Sequence, residues 1–409
     1  MSGCAAPVTT TREGGESSPS PRTPGGQPLS PGFGLAEAKP RPGGPARVGF
    51  ARKPRSRRLH GGSVGSKQKR LIEDVVSWGN LMAAHRLCRR GKRDSREVIR
   101  FEANLWAELG AIQNELLWGT YDVGRYRRFL VYDPKRREIA AAPYRDRVVM
   151  QAICRACEPI WTKAMIPDAY ACVKGRGPHE AVFRLQQWQR YYRRRGERAW
   201  ALHLDVSKFF DSIPHEVVMR VLRRRIACPR TLQALDTIIT STAGSDERNP
   251  VGIPTGNLTS QWLGNLVLNE IDQVAKRQLR IRHYQRYMDD LLILHSSKAQ
   301  LRDWRDAIEA ELGKLGLTAG KANISPAEGV TWVGFRVWPH KTRVKGQTLR
   351  RIRKKVRGVA IGYGRGRISR GEARDSLQSW RAHVLGVGMR GWWAARVREA
   401  RALVAAQTK

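Results

Sequence analysis

Apolar residues recur at helical spacing through LIEDVVSWGNLMAAHRLCRRGK and again through SREVIRFEANLWAELGAIQNELLWG. Each stretch predicts a helix, with Ser95 placed to cap the second. YRRFLVYDPKRREIAAAP changes period and reads as strand, turn, strand, and helices return in VVMQAICRACEPIW and HEAVFRLQQWQRYYRRR. AWALHLDVSKFF then alternates, with Leu202, Leu204 and Val206 on one face and His203, Asp205 and Ser207 on the other. Helices are expected across 215–241, followed by the turn-rich loop GSDERNPVGIPTGN and the helix LTSQWLGNLVLNEIDQVAKRQLR. HYQRYMDDLLIL reads as a hairpin; a helix near 299–315 and strands through GVTWVGFRVWP come next, and from about 340 the pattern is helical. No internal repeat interrupts this order.

The hairpin breaks its own pattern. Asp289 and Asp290 stand side by side between apolar runs. Two such charges about 4 Å apart repel by roughly 4 kcal/mol at an effective dielectric near 20. They need either solvent or a cation. In the order β–α–β–β, the strand ending at Asp205 and the hairpin tip at Asp289–Asp290 can come together on adjacent central strands, as in the split β-α-β sheets at the heart of many polymerases. Three converging carboxylates imply divalent metal. Two Mg²⁺ ions about 3.5–4 Å apart would form a clamp for in-line phosphoryl transfer, one activating a 3′-hydroxyl and the other holding a triphosphate.

Charge narrows the partners. Among 409 residues, 75 Lys and Arg face 36 Asp and Glu, giving a net charge of +39. Such an excess implies a polyanion, most simply nucleic acid held through its phosphates. Thirteen tryptophans and a long patterned interior argue against a packaging protein. Residues 1–70 stand apart, with 13 Lys or Arg against 3 Asp or Glu and about half of the prolines. This segment reads as a disordered basic tail, or as an upstream start, since no methionine lies between Met1 and Met82. Cys154 and Cys157 form one C-x-x-C on a predicted helix without the further ligands of a zinc site, so they read as two buried thiols. With no secretory leader and no long apolar run, the expected location is the cytoplasm, away from membranes.

LDVSKFFDSIPH (204–215), GIPTGNLTSQ (252–261), RYMDDLLIL (286–294), LTAGKANI (317–324) and WVGFRV (332–337) fall in the order of reverse transcriptase motifs. The chain resembles bacterial reverse transcriptases, and among them the diversity-generating retroelement family more than the group II intron or retron enzymes. Ser-Gln at 260–261, where the latter usually carry Ser-Pro, favours that reading. LCRRGKR (87–93), AAPYRDRVVMQAI (141–153), DAYACVKGRGPH (168–179) and SWRAHV (379–384) extend the likeness over about residues 72–390.

The resemblance implies an α+β right-hand polymerase, with fingers and the start of the palm over 71–199, a ferredoxin-like palm over 200–339 and a short, basic, helical thumb over 340–409. It implies RNA-directed DNA synthesis, error-prone at template adenines. The expected partners are template RNA, a primer–cDNA duplex, dNTPs and a small basic accessory protein; the expected cofactor is a pair of Mg²⁺ ions, with Mn²⁺ as a substitute. By motif position, Asp205, Val206, Asp289 and Asp290 would hold metal. Lys321 would serve as acid toward pyrophosphate. Phe210 would stack under the incoming sugar and exclude a 2′-hydroxyl, Arg137 would grip the triphosphate, and Thr255, Gly256 and Gln261 would line the nucleotide site. Lys174, Arg176, Arg350, Arg351, Arg353, Lys354, Lys355 and Arg357 would meet nucleic acid. Trp392 and Trp393 would pack in the thumb core or stack on bases. Thr255, Gly264 and Val267 depart from the residues usual at those positions.

Overall fold

The computed structural model describes residues 68–132, 136–241 and 250–407. The tail expected over 1–70 therefore lies, except for its last three residues, outside the described residues. The first predicted helix is divided by Ser77, whose extended backbone (φ −57°, ψ 136°) separates α1 (Leu71–Val76) from α2 (Trp78–Cys88). Asn104 divides the second into α3 (Arg96–Ala103) and α4 (Leu105–Trp118), and the Ser95 hydroxyl caps nothing. These breaks let Leu81, Val98, Leu109 and Ile112 all reach the same core, which one straight apolar stripe could not do. β1 (Arg127–Val131) and β2 (Arg137–Ala141) form an antiparallel hairpin. α5 (Tyr144–Ala164) buries Cys154 and Cys157, as expected of the C-x-x-C, and α6 (Pro178–Arg194) follows.

The central sheet is built from β3 (Trp200–Val206), β4 (Tyr284–Tyr287), β5 (Asp290–His295) and β6 (Ala319–Pro326). Its strand order is β4-β5-β3-β6, antiparallel throughout. Between β3 and β4 lie α7 (Phe209–Ser212), α8 (His215–Arg223), α9 (Pro229–Thr240) and α10 (Leu258–Gln273), the last running into a π-helical turn, Val274–Gln278. α11 (Lys298–Lys314) joins β5 to β6. This is a split β-α-β arrangement. The strand β6 is absent from the sequence reading. Its middle residues, Lys321, Ala322 and Asn323, are exposed, so it lacks the apolar alternation that marks β3 and β5.

Side chains from alternate faces enter two cores. Leu202, Leu204, Val206, Leu291 and Ile293 pack with the helices on one side. Ala201, Leu292 and Leu294 face the other, joining Trp188 of α6 and residues from the C-terminal part. There β7 (Val330–Trp332), β8 (Phe335–Val337) and β9 (Thr342–Val344) form a small sheet. β9 falls inside the segment expected to be wholly helical from 340. The helices begin only at Gly346, as α12 (Gly346–Gly364), α13 (Arg370–Leu385) and α14 (Arg390–Ala405). Ser369 and Glu372 close a capping box at the start of α13. Trp393 is buried and Trp392 packs against the same core, with Arg396 over its ring at 5.4 Å. Both indoles therefore read as packing.

Candidate active site

The apolar alternation of β3 ends at a carboxylate, Asp205. Its register with β5 runs from Trp200 opposite His295 to Leu204 opposite Leu291, and Asp205 and Asp290 are the next residues of the two strands beyond that pair. On the other side the register slips. Leu204 pairs with Ala322 and Val206 with Ala319, so Gly320 and Lys321 both oppose the single residue Asp205. Such a bulge re-aims a side chain. A β-carbon at Gly320 would stand 2.2 Å from Asp205 Oδ1. The carboxylate occupies the space that glycine leaves free.

Asp289 belongs to the turn Met288–Asp289 between β4 and β5, closed by the pair Tyr287–Asp290. Met288 has φ +56°, a left-handed conformation costly for a side chain of that size. Its carbonyl accepts a 2.9 Å hydrogen bond from Arg286 Nη1. Asp290 turns toward β3, with its Oδ1 3.2 Å from His203 Nε2.

Among the described residues, no three Asp, Glu, His or Cys side chains form a ready-made metal cage. The donors nevertheless suit a hard cation. Asp205 Oδ1 is buried and accepts no hydrogen bond, an arrangement that is costly for a carboxylate oxygen without a positive partner. Val206 points its side chain into the core, so only its carbonyl could serve an ion. Lys321 is exposed on β6 beside the bulge.

Phe209 is buried and Phe210 half-buried, their rings 5.2 Å apart. Phe209 thus fills core space and leaves Phe210 as the more accessible ring of the pair. Gly264 explains one departure, since a β-carbon there would meet Phe209 at 2.9 Å and Phe210 at 3.3 Å. The loop before α10 is tied to the same unit. Ile253 N–H donates to the Phe210 carbonyl, and Gly252 N–H to that of Ile213.

Other expected site residues have contacts of their own. Gly256 (φ +111°) approaches β2, where a β-carbon would lie 3.2 Å from Ile139 and 3.3 Å from the Ala140 carbonyl. Thr255 Oγ1 likewise donates to the Glu138 carbonyl. Arg176 uses Nη1 on the carbonyls of Ile166 and Ala169, so this guanidinium braces a loop, whereas Lys174 is exposed. The basic run on α12 is divided between two grooves. Arg351, Lys354 and Lys355 line a groove toward α13 with Arg367, while Arg353 and Arg357 line another toward α14. Arg353 pairs there with Glu399 at 3.7 Å; Arg350 is exposed. Gln261 Oε1 accepts a hydrogen bond from Cys172 Sγ at 3.1 Å. Arg137 opens β2, but its side chain lies outside the described residues.

Residues 133–337, which include Asp205, Asp289 and Asp290, match the reverse transcriptase (RNA-dependent DNA polymerase) family. The chain belongs to the reverse transcriptase family. Its enzyme class is therefore RNA-directed DNA polymerase, a nucleotidyltransferase. Protein YkfC of Escherichia coli K12 is 29% identical over 287 residues, 59% of this chain and 74% of YkfC. The COX1/OXI3 intron 1 protein of Saccharomyces cerevisiae is 22% identical over 170 residues, 40% of this chain and 20% of that protein. The intron 2 protein of the same yeast is 22% identical over 35% of this chain and 16% of its own length. This reverse transcriptase thus spans about three-quarters of one relative and a fifth or less of the two intron proteins. Among its described residues no helix is long and apolar enough to cross a membrane.

Sequence reasoning missed Gly320, Arg286, Asp272 and Asn265. A glycine in a polar stretch signals little, and Arg286 looks like an ordinary hairpin residue. It is in fact fully buried, as is its partner Asp272, with Nη2 2.7 Å from Asp272 Oδ2. Burial opposes the charge on Arg286, but the Asp272 carboxylate outweighs it, with Asp289 adding to the same effect, and the guanidinium pKa is raised.

Proposed function

We propose that this reverse transcriptase extends a primer on template RNA by two-metal phosphoryl transfer at Asp205, Asp289 and Asp290. The observation that carries the reading is the unpartnered, buried Asp205 Oδ1 beside the Asp289–Asp290 turn, on adjacent strands of one sheet. Mg²⁺ bound there would supply Lewis-acid charge for both the attacking and the leaving oxygens. The protein's own residues do the rest. The carboxylates position the ions; Phe210 lies under the incoming sugar and excludes a 2′-hydroxyl; exposed Lys321 offers a proton toward the leaving pyrophosphate. The hairpin β1–β2, tied to the 252–256 loop through Thr255 and Gly256, acts as fingers, with Arg137 on its second strand reaching the triphosphate. The central sheet is the palm, and α12–α14 are the thumb on the duplex.

The subtype reading is a diversity-generating enzyme that copies its RNA with errors at adenines, with a small basic accessory protein as partner. The GIPTGNLTSQ sequence supports it. Matches to the two yeast intron proteins favour a second reading, an intron-type enzyme of higher fidelity. Purified protein given primed RNA, Mg²⁺ and dNTPs is expected to make cDNA, and Asp289→Ala to abolish synthesis while binding persists. A wild type that binds but never extends defeats the polymerase reading. Sequenced products then separate the subtypes: errors concentrated at template adenines support the first, rare and evenly spread errors the second.

A further inference from the structure

The turn that carries Asp289 is built on a strained residue, and the structure shows what holds it. Arg286 is buried completely, and all five of its N–H donors have acceptors. Nε donates to Asp272 Oδ1 at 2.8 Å and Nη2 to Asp272 Oδ2 at 2.7 Å, a bidentate fork. Nη2 also reaches the Asn265 carbonyl at 3.2 Å. Nη1 spans Asn265 Oδ1 at 2.8 Å and the Met288 carbonyl at 2.9 Å. Tyr284 donates its hydroxyl to Asp272 Oδ1 at 2.6 Å, and Asn265 Nδ2 donates to the Ala171 carbonyl at 2.9 Å. The main chain of Arg286 is held as well, its N–H on the Asp168 carbonyl and its carbonyl on the Tyr170 N–H.

Stability alone is a weak account of this arrangement. A buried ion pair gives up the hydration of both charges, and a well-packed apolar pair of the same volume is often as stable or more so. What an apolar pair cannot do is hold a carbonyl. The peptide joining Met288 to Asp289 has its oxygen fixed by Nη1, and Met288 sits in the left-handed region that such a residue leaves when unrestrained. Fixing that peptide plane fixes the backbone from which the Asp289 side chain projects. The anchor at the other end is α10, through Asp272 and Asn265, both buried.

We propose that Arg286, set by Asp272 and Asn265, is the positioning residue for Asp289, holding the Met288–Asp289 peptide so that the carboxylate is presented to metal. The inference rests on the polymerase reading above. It predicts a defect in metal use and in the chemical step, with folding and template binding spared.

The test compares wild type, Asp289→Ala and the double variant Arg286→Met/Asp272→Leu, which replaces the ion pair with apolar volume. Melting temperature, primer–template affinity, single-turnover nucleotide addition and the half-saturating Mg²⁺ concentration are measured on each. The double variant is expected to melt near the wild type and to bind primer–template within about twofold. Its addition rate should fall on the order of 100-fold, the scale of a 1 Å misplacement, and its Mg²⁺ requirement should rise several-fold. A wild-type rate and an unchanged Mg²⁺ requirement would reduce the network to packing and overturn the proposal. Should the double variant fail to fold, Asn265→Ala, which leaves the ion pair intact, is read instead. A slower rate with a raised Mg²⁺ requirement is expected, and wild-type values overturn the inference. A silent wild type sinks the polymerase reading, whereas an active wild type beside an equally active variant sinks only the brace.

Discussion

A methyl group at residue 320 would stand 2.2 Å from Asp205 Oδ1 and 2.9 Å from its Cγ, so Gly320→Ala must push the carboxylate off its present position. Gly320 does not have positive φ, and alanine carries no backbone penalty there. The melting temperature should therefore hold while single-turnover primer extension slows on the order of 100-fold. Extension at the wild-type rate would mean that the bulge does not set the position of Asp205. A second residue reports on pH. His283 is buried beneath Trp188 and Tyr191, and burial, with Arg282 and Lys276 nearby, pushes its pKa down from 6.5 to about 4. The folded ring binds a proton more weakly than the unfolded one. Its stabilisation, about 3 kcal/mol, is thus complete above the unfolded value of 6.5 and lost as pH falls toward about 4. His283→Gln should flatten the acid limb of unfolding free energy across that window, and an unchanged slope would refute the assignment. The sequence exposes Asp205, Asp289 and Asp290 because a charge inside an apolar alternation needs a reason. It hides Arg286, whose reason lies in Asp272 and Asn265, 14 and 21 residues earlier on another element.

At the scale of elements, periodicity and apolar runs revealed β3, the β4–β5 hairpin, α5, α6, α10 and α11. Periodicity failed where apolar alternation is absent. β4, found only as half of the hairpin, buries Tyr284, Gln285 and Arg286 in succession because residues 168–170 cover its outer edge. β6 exposes its middle and leaves the period-2 signal empty. α10 shows how a helix face can be fitted to a site. Gly264 gives Phe209 and Phe210 their space, the nearest approach of an added β-carbon being 2.9 Å to the Phe209 ring edge. Gly264→Ala gains helix propensity but overpacks, and a net loss of roughly 1–3 kcal/mol in denaturant unfolding is expected. Adding Phe209→Leu should recover much of it. If the alanine variant were instead more stable than the wild type, the two rings would be free to move and the site less rigid than its packing implies.

The whole molecule carries 75 Lys and Arg against 36 Asp and Glu, so almost any of its surfaces attracts a polyanion. Net charge alone cannot say where a duplex lies. Pairing offers a way to decide. In the groove between α12 and α13, Lys354 and Lys355 stand with Arg351 and Arg367 over Val359 and Trp380, and Glu372 is the one acid on its lining. On the α14 side, Arg353 already faces Glu399. A cation that meets an acid in the free protein must give up that contact to bind phosphate, so it releases fewer counterions for each contact made. If the first groove follows the duplex backbone, Lys354→Ala/Lys355→Ala should flatten the log–log salt dependence of primer–template affinity by roughly 2, at about 0.9 for each phosphate contact. Arg353→Ala should change it far less. The rate of nucleotide addition at saturating primer–template should stay near the wild-type value in both, because neither groove contains the carboxylates. Equal flattening by the two variants would mean that diffuse charge, rather than this groove, holds the nucleic acid, and would leave the thumb assignment without its physical basis.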